Sequence, residues 1–93
     1  IDVRDVVNII IILIKINFSG IINLGNAIEY SPFDIAKKLI KLYGSGDILF
    51  NKNFAGTKNR YIVSDNTKLN LLNIKTKFNL DNTLKKMLAF KDV

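Results

Sequence analysis

Apolar residues crowd the front of the chain. In the run Val6-Val7-Asn8-Ile9-Ile10-Ile11-Ile12-Leu13-Ile14-Lys15-Ile16 only Asn8 and Lys15 are polar. Asp5, Asn8 and Lys15 fall along one narrow helical stripe, with Ile12 between them, and most of the remaining circumference is apolar. The β-branched content also suits a strand, but the length of the run and Asp5, as N-cap or first-turn acid, predict a helix. A helix apolar on so many sides needs several neighbours, and 93 residues offer few. The expectation is therefore a chain that assembles or forms part of a larger body, and that aggregates or packs loosely alone. The run falls well short of the ~20 residues of a membrane span. The front carries Asp2 and Asp5 where a signal peptide needs basic residues, so the helix is expected to be buried in protein.

The pattern then changes. Gly20-Ile21-Ile22-Asn23-Leu24-Gly25 is a short apolar run bounded by glycines and predicts a buried strand. Ser31-Pro32-Phe33-Asp34 predicts a helix start, with Ser31 as cap, Pro32 in the first turn and Asp34 completing a capping-box-like pair. Ile35, Ala36, Leu39, Ile40 and Tyr43 form its expected core face, and Gly44 its stop. Short extended segments are expected at Asp47 to Phe50 and Arg60 to Val63, around a polar loop from Asn51 to Asn59. Ser64 or Asp65 would cap a helix carrying Leu69, Leu71 and Leu72, with Asn73 as its left-handed stop. A last helix starts at Asn79 or Asp81 and turns Leu80, Leu84, Met87 and Leu88 inward. No repeat or linker divides the chain, so residues 1–93 are read as a single partial domain.

Composition removes several chemistries. There is no Cys and no His, which excludes a cysteine nucleophile, a histidine base, a zinc site and a disulfide framework. Gly44-Ser45-Gly46-Asp47 lacks the spacing and setting of a phosphate loop. Tyr30, Tyr43 and Tyr61 are each followed four positions on by an aspartate, so no Tyr-x-x-x-Lys pair exists. No catalytic residue and no metal ligand is expected within these residues. The net charge of +6 is uneven: residues 1–36 hold two bases against four acids, and the remainder twelve against four. A basic half suits anionic partners, but all except two of the fourteen bases are lysines, the ordinary solvated residue.

The order of signals carries a resemblance. Ile1-Asp2-Val3-Arg4-Asp5-Val6-Val7 resembles the I-H/Y-V-D-D-V/L segment that opens a helix in the NAD-dependent epimerase/dehydratase family, the extended short-chain dehydrogenases acting on nucleotide sugars. Ile22-Asn23-Leu24-Gly25-Asn26 is similar to that family's F-N-I/V-G-S/N stretch, and Glu29-Tyr30-Ser31 with the following helix to its next element. Gly56, Arg60-Tyr61 and Asp65-Asn66-Thr67-Lys68 resemble its P-G-x-x-R-R segment and the D-x-S-K beyond. Asn73 to Leu80 occupies the place of the turn before the final helix. Ala55 stands where the family has proline, Asn73 for glycine, Ile74 for tryptophan and Thr76 for proline.

The resemblance implies an α/β protein of which this is the helix-rich, C-terminal, substrate-binding part, with a few short strands and without the Rossmann half. That half would lie upstream of Ile1, bind NAD or NADP and supply the catalytic pair; the full protein would be a cytoplasmic homodimer. The resemblance gives Arg60 the role of contacting the diphosphate of a nucleotide sugar, a task suited to a planar, permanently charged, bidentate guanidinium. A surface arginine paired with Asp65 or Asp47 is the plainer reading of Arg60. Two other classes remain: a non-catalytic relative that keeps ligand binding or assembly, and a small basic nucleic-acid module using Lys52, Lys58, Arg60, Lys75 and Lys77 with Phe54 and Tyr61 as stacking groups.

Overall fold

In the computed structural model, which describes residues 1–50 and 63–90, four helices follow one another: α1 (Val3–Lys15), α2 (Pro32–Tyr43), α3 (Thr67–Leu71) and α4 (Leu80–Leu88). They account for half of the described residues, which contain no strand. The helix-rich expectation holds, but the strand expected over Gly20 to Gly25 and the one over Asp47 to Phe50 do not form. A strand needs a ladder partner for its backbone. Here Ile22 and Leu24 instead pack as irregular chain against the helical core. The segment Arg60 to Val63 falls outside the described residues except for Val63.

The helix ends follow local chemistry. Ser31 Oγ accepts from Asp34 N at 3.0 Å and the Asp34 carboxylate accepts from Ser31 N at 3.1 Å, a complete capping box with Pro32 behind it. Gly44 closes α2 in the left-handed region at φ 96°, donating to Ile40 O. Asn73, at φ 57°, closes α3 while Ile74 N reaches back to Leu69 O. Asn79 caps α4, again with a reciprocal bond, from Asn82. Asp2 caps α1, and Asn66 precedes α3 without a side-chain cap bond.

The buried faces are less predictable. Ile9, Leu69 and Ile74 form the core, joined by half-buried Leu13, Ile22 and Leu24, and α2 packs on α4, where Leu84 is buried. Lys38 Nζ meets Asp81 at 2.9 Å across that second contact. α1 does not bury its isoleucines. It buries Asp5 and Ile9, and leaves Val3, Val7, Ile10, Ile11 and Ile14 exposed. The expected core faces elsewhere are also partly turned out: Ile35, Leu39, Tyr43, Leu71, Leu72 and Met87 are all exposed. The radius of gyration, 16.5 Å, exceeds the ~12 Å of a compact chain of this length.

Asp5 explains the orientation of α1. It is 1% exposed, and its two carboxylate oxygens accept from Lys77 N at 2.9 Å and Phe78 N at 3.0 Å. Asp2, also buried, accepts from Thr83 Oγ1 at 2.8 Å and is bound by Arg4 through its backbone N–H and both Nε and Nη2. The Arg4 guanidinium lies 3.7 Å from the centre of the Phe78 ring. Removing the buried Asp5 carboxylate strands two backbone donors, so Asp5→Ala is expected to lower stability by about 2–4 kcal/mol, measured by urea unfolding. The Asp2 carboxyl is held well below the usual range, chiefly by the Arg4 side chain; Asp34 is lowered by the Ser31 backbone N–H and Asp81 by Lys38. Carboxyls depressed in the folded state contribute stability above their unfolded values near ~4 and lose it as pH falls toward the folded ones. The urea midpoint is therefore expected to drop below pH 4, and Asp2→Asn to flatten that acid limb.

Candidate functional site

Two adjoining hollows share Asn26 and Thr76 in their walls. The larger, of about 280 Å³, is lined by Asn26, Ala27, Asn66, Asn70, Ile74, Lys75 and Thr76. The smaller, of about 140 Å³, lies between Asn26, Ile28 and Tyr30 on one side and Thr76 to Leu80 on the other. Three asparagines, a threonine and a lysine make the larger hollow a donor- and acceptor-rich surface without a carboxylate. That chemistry suits a neutral polyhydroxyl or anionic ligand, and its size suits a single ring rather than a dinucleotide.

Its wall is assembled by long-range bonds to irregular backbone. Asn66 Nδ2 donates to Gly25 O at 2.6 Å, and Ser64 Oγ donates to Asn66 Oδ1 at 2.8 Å. Lys68 Nζ donates to Ile21 O at 2.6 Å. Gly25 is required by this approach, since a Cβ there would collide with Ser64 Oγ and Cβ. Thr67, the first residue of α3, is fixed by Asp65, whose carboxyl is lowered by the hydroxyl and N–H that Thr67 donates. Ala27 sits in the left-handed region at φ 56°, a conformation costing a non-glycine residue of order 1 kcal/mol.

The Asn26 side chain is the anomaly. Its Oδ1 is shut from solvent and has no hydrogen-bond partner, although buried polar atoms are normally paired. Asn23, in the stretch that bears the resemblance, is exposed; the asparagine that satisfies the loop's backbone is Asn66, through Gly25 O. Asn66, Asn70 and Thr76 in the hollow's wall gave no sequence signal of their own, being ordinary polar residues in an asparagine-rich chain.

Arg60, the residue expected to contact a diphosphate, lies outside the described residues. So do Lys52, Lys58, Phe54 and Tyr61 of the nucleic-acid reading, whereas Lys75 and Lys77 line the larger and the smaller hollow. Arg4 is engaged with Asp2 and Phe78. No helix among the described residues is long and apolar enough to cross a membrane. No family model, curated protein or solved structure matches the chain.

The contact of Gly25 with Ser64 gives a direct check. Gly25→Ala is expected to destabilise the protein by about 1–3 kcal/mol through overpacking. Adding Ser64→Gly should restore part of that loss, a coupling that a double-mutant cycle in urea reads directly.

Proposed function

We propose that this chain is the substrate-binding portion of a nucleotide-sugar epimerase or dehydratase that works with NAD or NADP held by a Rossmann half. The observation that carries this reading is convergence. The stretches Ile22–Asn26, Asp65–Lys68 and Asn73–Leu80 bear the resemblance; the first stands far from the other two in sequence, and residues from all three border the paired hollows. The Ile1–Val7 stretch is tied to the same place, because Asp5 fixes the backbone of Lys77 and Phe78 in the smaller hollow's wall. A chance run of weak motifs has no reason to meet around one polar surface.

In this role the asparagines and Thr76 hold the sugar or base, and Lys75 and Lys77 supply positive charge for the diphosphate, with Arg60 as its bidentate contact. Oxidation of a sugar hydroxyl and return of the hydride belong to the cofactor half, since these residues hold no Tyr-x-x-x-Lys pair. The exposed apolar face of α1 suits the same reading, as large apolar faces of this kind serve as contact surfaces.

The test is a titration of the protein with UDP-, dTDP-, CDP- and GDP-sugars by calorimetry. One of the four should bind, and Arg60→Ala should weaken it by about tenfold or more, the cost of one charged phosphate contact. Failure of all four to bind sinks the proposal; unchanged affinity in the variant removes Arg60 from the site.

A further inference from the structure

The Asn26 amide carries a hydrogen-bonding group that the protein does not use. Its oxygen is buried without a partner, yet the side chain lines both hollows. Leaving a buried acceptor unpaired destabilises the empty protein, and the left-handed Ala27 beside it adds strain. Two unfavourable features in consecutive residues, at the rim of a polar hollow, point to a residue held for something other than folding.

We infer that Asn26 is the specificity residue of this hollow, its amide hydrogen-bonding a ligand group that both donates and accepts. The inference rests on the nucleotide-sugar reading and adds to it the contact that selects the ligand. A carboxamide offers a donor and an acceptor side by side. Its natural complements are a pair of vicinal sugar hydroxyls or the N–H/C=O edge of a base. The torsion that turns the amide is soft and roughly two-fold, so the oxygen swings from its buried position into the hollow without displacing backbone. Asn66 and Asn70 flank the larger hollow, and Asn66 is already committed to Gly25 O and to the Ser64 hydroxyl; Asn26 alone of the three borders both hollows and carries a buried, unpaired oxygen.

The experiment compares the protein with its Asn26→Leu and Asn26→Ala variants. Each is titrated with the sugar nucleotide that binds, with the matching nucleoside diphosphate and with the matching sugar 1-phosphate. Both variants should bind the sugar nucleotide at least about tenfold more weakly. If the hydroxyls are the partner, the sugar 1-phosphate shows the same loss and the nucleoside diphosphate does not; if the base is the partner, the pattern reverses. In the absence of ligand, Asn26→Leu should unfold at an unchanged or higher urea concentration, because it removes an unpaired acceptor. Equal affinity in wild type and variants overturns the inference while leaving the nucleotide-sugar reading standing. A lowered urea midpoint with Leu also overturns it, by assigning Asn26 to the fold. A protein that binds none of the sugar nucleotides overturns the reading and the inference together.

Discussion

A single carboxylate sets the arrangement of this chain. Asp5 lies in the first turn of α1, and its two oxygens take the backbone N–H groups of Lys77 and Phe78, the residues just ahead of the Asn79 cap of α4. Once those two amides are fixed, the start of α4 is fixed. Asp2 adds a second tie one turn further along α4, through Thr83. α2 then rests on α4 through Leu84 and the Lys38–Asp81 pair. Ile9 follows Asp5 by one turn on the same face, so the polar anchor and the core of Ile9, Leu69 and Ile74 are presented together.

That anchor decides which apolar surface is left over. A helix with valine or isoleucine at most positions has no single preferred inner face by hydrophobicity alone, and a buried, doubly bonded acid breaks the tie. The cost is borne on the opposite side, where Val3, Val7, Ile10 and Ile14 follow spacings of four, three and four. This is the spacing of a seam that another helix or sheet can cover. α2 repeats the pattern with Ile35, Leu39 and Tyr43. With such surface left on two helices, the described residues have a thin core.

Sequence revealed the ends of the helices better than their faces, and the reason is range. A cap is decided by residues within four positions: Ser31 with Asp34, Gly44 with Ile40, Asn73 with Asn70. A face is decided by what arrives from elsewhere, and nothing within Asp5-Val6-Val7-Asn8 announces the amides of Lys77 and Phe78. The polar stripe of α1 was legible, but not that its members part company, Asp5 going into the interior and Asn8 and Lys15 to the surface. In the hollow, the stretches from Ile22 to Asn26 and from Asn73 to Leu80 were singled out by resemblance. Their meeting across one space, and the left-handed turn at Ala27, are properties of the closed structure.

The missing strand at Gly20 to Gly25 and the character of the hollow have one cause. A strand would have spent the carbonyls of Ile21 and Gly25 on a neighbouring backbone, whose ladder repeats at every second residue and leaves little choice of side chain. Here those carbonyls are met by Lys68 Nζ and Asn66 Nδ2, two side chains on either side of the α3 start. Side-chain partners satisfy the backbone at isolated points and let it depart from regular geometry between and beyond them. The next two residues use that freedom, Asn26 with an unpaired amide oxygen and Ala27 with a positive φ. Asn66 and Asn26 are thus the same chemical group in opposite conditions. One is consumed in holding the loop, and the other is left with hydrogen-bonding capacity at the surface that the loop creates.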